Sequence, residues 1–446
     1  MALKALDIYK YLPKSNCAKC GSPTCLAFAM QLAAKKASLD QCPEVSAEAR
    51  AALEGAAAPP IRLVTIGHGD RAVKIGNETV LFRHDETFYH PPGIAVRVRD
   101  DLDEAALQER VTAVRNLQFE RVGQKLAVDM IAVENTSGDP ERFTKAAAMA
   151  ARSDLALILM AKDCAALSAA LNACAERRPL LYRADRTNWE ALARLAQSRQ
   201  CPLAVDAADL DQAAELTQRL NAAGVQDLVL DVTGSGMGAT LQGLTKVRRL
   251  ALRKNFRPLG YPCLASTLGA APDLALAAAA AYIAKYAGII IIDTVQPWEV
   301  LPLLTVRQNL YTDPRKPVQV EPKLYQIGAV SPTSPLLVTT NFSLTYYTVE
   351  SDVEASRVPA FIGVIDTEGT SVLTAWASEK LTTAKIATFL NGEAVKQRVA
   401  HRRVIIPGYV AVMSGKLEDE SGWQVLVGPR ESSGIPKYLK TMWKPD

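Results

Sequence analysis

This chain of 446 residues has no long uninterrupted apolar run, no dense stripe of one charge sign and no second pair of closely spaced cysteines. Each absence removes a class of function. The most apolar stretch, 274–292, is interrupted by Lys285 and divides into an Ala-rich helix and a strand, so it is not a membrane span. The net charge is +4 with both signs interspersed, and no Lys/Arg stripe is interleaved with aromatics, which argues against nucleic acid as the main partner. Residues 1–7 carry neither the basic region nor the apolar core of an export signal, so reduced thiols and a cytoplasmic location are expected. The length suggests two or three domains with ample cores.

What is present is concentrated near the N-terminus. Cys17, Cys20, Cys25 and Cys42 have the spacing C-x2-C-x4-C-x16-C and are followed by Pro43. Three thiolates can wrap one face of a compact inorganic core and the fourth closes it, as a [4Fe–4S] cluster requires. Pro13, Gly21, Pro23 and Pro43 suit a tight loop whose amides approach cluster sulfurs. Structural zinc is the alternative, but zinc knuckles pair two short C-x2-4-C units, and the second half here offers Cys42 alone. Cys164, Cys174, Cys201 and Cys263 are scattered singly, as buried free thiols are.

Helical text at 25–36 and 46–53 ends in Gly55-Ala56-Ala57-Ala58-Pro59-Pro60, a linker. Residues 61–82 read as a β-hairpin turning at Gly76-Asn77. Strand candidates then follow at 94–98, 126–133, 155–159, 179–182, 203–205, 228–232, 261–265 and 289–292. Helices at 104–120, 189–197, 210–222 and 273–285 separate several of them. Apolar strands alternating with helices predict a parallel sheet, and eight of them predict a (β/α)8 barrel with the hairpin plugging one end. A doubly wound open sheet is the alternative. After a break at 314–322, strands at 336–340, 360–366, 403–406 and 423–427 alternate with helices at 345–357, 372–378 and 382–393, a small flavodoxin-like α/β layer. The expected domains are 1–58, 59–320 and 321–446.

The run 9–29, which contains Cys17-Ala18-Lys19-Cys20-Gly21-Ser22-Pro23-Thr24-Cys25, resembles the cluster loop of the corrinoid iron–sulfur proteins of acetyl-CoA synthesis, above all their large subunit. The resemblance continues in order through 60–65, Ile289-Ile290-Ile291-Ile292-Asp293 and Thr339-Thr340-Asn341-Phe342-Ser343-Leu344. It implies an N-terminal [4Fe–4S] domain, a central TIM barrel and a C-terminal flavodoxin-like corrinoid-binding domain. It also implies a heterodimer with a small barrel subunit, in a carrier more than a self-sufficient catalyst. Such a carrier takes a methyl group from methyltetrahydrofolate, through a separate methyltransferase, onto Co(I). It hands that group to CO dehydrogenase/acetyl-CoA synthase, and the cluster rescues Co(II). On this resemblance Cys17, Cys20, Cys25 and Cys42 are the cluster ligands.

Corrinoid contacts are expected, by the same resemblance, at Thr340 and Tyr346, at Gly369, Thr370, Ser371, Val372, Leu373 and Thr374, at Gly408, and at Ser432, Ser433 and Gly434. Leu373 and Thr374 would lie near the cobalt face. Each of these loops also reads as an ordinary strand-to-helix turn with Ser/Thr caps. Of the histidines His68, His84, His90 and His401, none stands in the D-x-H-x-x-G context that supplies a lower axial ligand. That agrees with the base-off corrinoid the resemblance implies.

Three further features bear on function. Asp231-Val232-Thr233-Gly234-Ser235-Gly236-Met237-Gly238 lacks the third glycine of a phosphate fingerprint and reads as a tight barrel loop. Asp293, near Gln296 and Trp298, reads as a structural or subunit-contact residue, and 246–254 as the solvated basic face of a helix. An electron-transfer protein without corrinoid and a barrel methyltransferase with a structural cysteine site remain as competing functions.

Overall fold

The computed structural model describes residues 5–33, 37, 39–46, 49, 59–312 and 317–444. Most of the expected helix at 46–53, the linker at 55–58 and part of the break at 314–322 lie outside the described residues. The chain divides into two compact units, residues 1–117 with 127–311, and 118–126 with 312–446.

In the first unit β1 (Val64–Ile66) and β2 (Val73–Ile75) pair antiparallel, Val64 opposite Ile75. The hairpin turns through Gly69–Arg71, not through Gly76-Asn77 as expected. Gly76 instead marks a close crossing. With φ at +93°, a Cβ there would lie 2.0 Å from the Arg62 carbonyl oxygen, so glycine alone fits.

Strand β3 (Gly93–Arg99) opens the barrel. The next helix stops at Arg115, short of the expected Glu120, and β4 (Gln118–Arg121) and β5 (Gln124–Ala127) follow as a hairpin of the second unit. Its turn places Val122 at φ +52° and Gly123 at φ +66°, the positive pair that a tight two-residue hairpin needs. The single strand expected at 126–133 is therefore two. The barrel resumes with β6 (Met130–Glu134), β7 (Ala156–Met160), β8 (Leu180–Ala184), β9 (Leu203–Asp206), β10 (Leu228–Asp231), β11 (Cys263–Ser266) and β12 (Ala287–Ile292). All eight strands are parallel in chain order, and β12 closes the ring on β3 from Ile289–Gly93 to Ile292–Val96. Val64, Ile66 and Ile75 pack with Met130, Ile158 and Leu180 in the barrel interior. The hairpin sits at the amino-terminal ends of the strands, where Gly67 N donates to Arg178 O at 3.0 Å.

Arg248 departs from the expected solvated basic face, being only 5 % exposed. The segment 78–90 packs against its helix. The guanidinium donates to Val80 O at 2.6 Å, pairs with Glu78 at 3.5 Å, and lies between the Phe88 and Tyr286 rings.

The second unit holds a five-stranded sheet built from β13 (Leu324–Ile327), β14 (Leu336–Thr340), β15 (Ala360–Ile365), β16 (Arg403–Ile406) and β17 (Gln424–Val427). The spatial order is β13-β15-β14-β16-β17, with β13 antiparallel at the edge. The four parallel strands keep the flavodoxin-like order, so the winding reverses between β14 and β16. Alternation along β14 sends Leu337 to one face, with Tyr346 and Val353 of the helix Ser343–Ser356, and Leu336 and Val338 to the other. Each such buried apolar side chain contributes roughly 1.5–3 kcal/mol. The helix expected at 382–393 ends at Leu390, and after Gly392 a short turn Glu393–Lys396 follows.

Candidate functional site

The cysteine loop is folded against a small core. Cys25 and Cys42 are buried with Ile8, Leu12, Phe28 and Ala29; Cys20 packs against that core, and Cys17 is exposed. Between Pro13 and Thr24 the chain turns repeatedly, with Lys14, Asn16 and Ala18 all in the left-handed region. That conformation costs an L-residue roughly 1–2 kcal/mol, a cost that a loop wrapped on an inorganic core can offset. Asn16 Oδ1 accepts from Cys25 N at 2.8 Å, and Thr24 Oγ1 caps the helix Cys25–Ala33 by accepting from Ala27 N at 3.0 Å. The Lys19 backbone N–H and then the Ser15 hydroxyl hold the Cys17 thiol below its ordinary value.

Among the described residues no group of three or more His, Cys, Asp or Glu side chains could hold a metal ion as placed. The donor set itself suits an iron–sulfur cluster: four thiols from one short segment, three of them on one core. The scattered cysteines are of another kind. Burial pushes Cys174 and Cys201 up to about 11 and Cys263 up to about 12, as expected of inert packed thiols.

In the second unit a cavity of ≈ 330 Å³ opens at the carboxyl ends of β14 and β16, the point where the winding reverses. Leu337 and Ile405 form part of its floor, and Thr345, Thr348 and Val349 present one face of the helix Ser343–Ser356 to it. Thr339, 2 % exposed, contributes to its lining, and its buried hydroxyl has no hydrogen-bond partner among the described residues. The loops after β16 and β17 meet at the mouth, where Tyr409 OH donates to Glu431. Leu344, Leu373 and Tyr409 stand half-exposed around the opening. A cavity of this size with largely apolar walls suits one aromatic arm of a larger cofactor, whose remainder would lie across the mouth.

Of the residues expected from sequence, Ser371, Val372, Leu373 and Ser432 line this cavity. Thr374 lies beside it, its hydroxyl 3.1 Å from Ser371 Oγ. Gly408 is not in the cavity wall, but a Cβ there would come within 2.6 Å of Gly428 O and 2.8 Å of Arg430 N, two residues that are. Gly434 packs on Pro429, and Ser433 shares its short turn Ser432–Gly434. Gly369 and Thr370 form the loop after β15. Gly369 N donates to Asn341 Oδ1 at 3.0 Å and Thr370 Oγ1 to Thr367 O at 2.7 Å. Thr340 is fully buried but is not part of the cavity wall. Tyr346 is also turned away: its ring packs with Tyr325 and Tyr347, and its hydroxyl donates to Glu350 at 2.8 Å. Thr339, Thr345, Thr348, Val349 and Arg430 were not foreseen. The i, i+3, i+4 spacing of the middle three was the available signal.

The carboxyl end of the barrel is arranged differently. Asp231 is fully buried, accepts from Tyr182 OH at 2.6 Å and from Thr233 N at 3.1 Å, and pairs with Arg183. Arg183 also meets Asp206 at 3.3 Å. Arg97 bridges Glu134, at 3.0 Å, and Asp293, which Arg110 meets at 3.2 Å. The loop after β10 closes on itself, Gly234 N donating to Thr240 Oγ1 at 3.0 Å.

A family model described as CO dehydrogenase/acetyl-CoA synthase delta subunit matches residues 63–439, and an Fe-S cluster family model matches residues 12–44. The chain is 48% identical over 441 residues to the corrinoid/iron-sulfur protein large subunit of Moorella thermoacetica, covering 99% of each. It is 40% identical to the acetyl-CoA decarbonylase/synthase complex subunit gamma of Methanothermobacter thermautotrophicus, over 98% of this chain and 99% of that one. The gamma subunit of Archaeoglobus fulgidus is 37% identical, over 99% and 98%.

Proposed function

Because the chain belongs to the family of corrinoid/iron-sulfur protein large subunits and acetyl-CoA decarbonylase/synthase gamma subunits, we propose that it is a methyl carrier of acetyl-CoA synthesis. The corrinoid supplies a cobalt nucleophile that accepts a methyl group from methyltetrahydrofolate, through a separate methyltransferase, and yields it to CO dehydrogenase/acetyl-CoA synthase, while a [4Fe–4S] cluster supplies the electron that restores an oxidised cobalt. Cys17, Cys20, Cys25 and Cys42 hold the cluster in an N-terminal domain, 1–58. Residues 59–320 form the barrel domain, and the chain works with a small subunit in a cytoplasmic heterodimer. Residues 321–446 hold the corrinoid base-off.

Within that last domain the chain's own residues bind and exclude water. The floor of Leu337 and Ile405 takes up apolar surface. The helix face of Thr345, Thr348 and Val349 forms one wall, and the loop 371–373 another. The half-exposed rim of Leu344, Leu373 and Tyr409 leaves the reacting face open to a docking protein. No histidine lines this cavity, which supports a cobalt without a histidine ligand from this domain.

The observation that carries the reading is the cavity at the winding reversal of a flavodoxin-like sheet, in a chain with a full-length relative named for a corrinoid. Thr345→Trp fills it from the helix side. Cobalt content after loading should fall by about tenfold or more while iron content and thermal stability stay near wild type. Undiminished cobalt in that variant would place the corrinoid elsewhere.

A further inference from the structure

Resting on the carrier reading, we propose that Asn341 is a positioning residue of the corrinoid site. Its buried carboxamide fixes the loop 366–370 after β15 and, through that loop, the wall that Ser371, Val372 and Leu373 contribute to the cavity. Asn341 is not itself in the cavity wall.

Asn341 follows β14 directly and is 1 % exposed. Its backbone carries the sheet one step further, N donating to Ile365 O at 3.0 Å and O accepting from Val320 N at 3.0 Å. A carboxamide has one acceptor oxygen and two N–H donors, and here all are engaged. Oδ1 accepts from Thr367 N at 2.9 Å, from Gly369 N at 3.0 Å and from Thr367 Oγ1 at 3.0 Å. Nδ2 donates to Asp366 Oδ1 and to Gln319 Oε1, both at 3.1 Å. The two sides are not interchangeable, because backbone N–H groups face the oxygen and a carboxylate faces the nitrogen.

The loop needs such a hold. Glu368 and Gly369 are consecutive left-handed residues, at φ +56° and +72°, a conformation that Glu368 does not favour by itself. Within the loop, Glu368 N donates to Asp366 Oδ1 at 3.0 Å and Thr370 Oγ1 to Thr367 O at 2.7 Å. Those bonds shape the turn, whereas the bonds to Asn341 attach it to the end of the neighbouring strand. Only Thr370 separates Gly369 from Ser371, so a displaced turn carries the cavity wall with it. The pairing of β14 with β15, from Leu336–Phe361 to Thr340–Ile365, is made by backbone and does not depend on this side chain. A cofactor that meets a preformed wall does not give up binding free energy to order it.

The test reads the loop and the site separately. Hydrogen exchange of the full chain without corrinoid, followed by mass spectrometry, reads the loop. Cobalt retained after anaerobic loading with corrinoid, with the proposed small subunit present, reads the site. In Asn341→Ala the amides of Thr367 and Gly369 lose their acceptor. Exchange across 366–373 should rise by about tenfold while β14 and β15 stay protected, and cobalt retention should fall by about tenfold with iron content intact. Asn341→Asp keeps the acceptor but sets a carboxylate against Asp366, and retention should fall severalfold. Adding Asp366→Asn to Asn341→Asp reverses donor and acceptor in that pair, with Lys380 on Glu368 and Lys385 on Asp366 O left in place. The double substitution should return both readouts to within about twofold of wild type. Full cobalt retention in Asn341→Ala with a loosened loop would overturn the assignment, as would a double substitution no better than Asn341→Asp alone. Lost protection in β14 and β15 as well would also overturn it, because Asn341 would then be holding the sheet and not the loop. An unmutated chain that takes up no corrinoid would instead defeat the carrier reading and the inference with it, a failure visible before any substitution is made.

Discussion

Ligands of α/β proteins gather beyond the carboxyl ends of parallel strands, and this chain has two such ends with opposite character. In the barrel that region is occupied by the protein's own charges: Asp231 with Arg183 and Tyr182, and Arg97 between Glu134 and Asp293. In the five-stranded sheet it is an open cavity with largely apolar walls. Ion pairs taken out of water stabilise little on net, but each partner becomes indispensable once the other is buried. The barrel end is thus committed to internal pairing, while the sheet end leaves apolar surface uncovered.

Breaking the barrel end should cost stability and spare the cofactor. Asp231→Ala leaves Tyr182 OH and part of the Arg183 guanidinium without their acceptor and should destabilise the first unit by about 3 kcal/mol in urea or thermal unfolding. Cobalt loading at low temperature should be unchanged; loss of cobalt would show that the two ends are not separate in function.

Crowding the sheet end should do the reverse. In Gly408→Ala the new Cβ meets backbone atoms of Gly428 and Arg430, which have no side-chain freedom with which to yield. The cost should be about 2 kcal/mol, with a severalfold drop in cobalt retention as the two loops at the mouth move apart. Retention equal to wild type would mean that those loops do not shape the site.

The smallest effect concerns the far side of the helix that walls the cavity. Burial raises the Glu350 carboxyl above its ordinary range, against the lowering effect of the Tyr346 hydroxyl. A carboxyl raised in the folded state favours folding while it is protonated, so this contribution is full at low pH and lost as pH rises through the raised value. Glu350→Gln should flatten that dependence and add about 0.5 kcal/mol near neutral pH, a small figure because the group is partly solvated. Denaturant unfolding at several pH values measures it, and an unaltered pH slope would show that Glu350 is not the group responsible.

The barrel was legible because strands buried on both faces must be apolar throughout, as Ala156–Met160 and Ala287–Ile292 are. The four-cysteine motif stood out because metal-ligand spacing is local, and the structure gathers Cys20, Cys25 and Cys42 on one small core. The hairpin β4–β5 was not, since Gln118-Phe119-Glu120-Arg121 continues a helical pattern and only the paired positive φ values at Val122 and Gly123 reveal a turn. Adjacent residues were the hardest to separate. Sequence pointed to Thr340 and Tyr346, whereas strand alternation and helix rotation bring Thr339 and Thr345, one position earlier, to the cavity. Arg248 looked solvated because the segment that covers it, 78–90, is distant in the chain.

The methyl-carrier proposal requires one chain to hold both a four-cysteine cluster and, in a separate compact unit, a corrinoid. The decisive measurement is metal analysis with an absorption spectrum on protein purified anaerobically, together with the proposed small subunit, and supplied with corrinoid. About four irons and about one cobalt per chain are expected. Iron without cobalt would contradict the carrier, and zinc in place of iron would contradict the cluster.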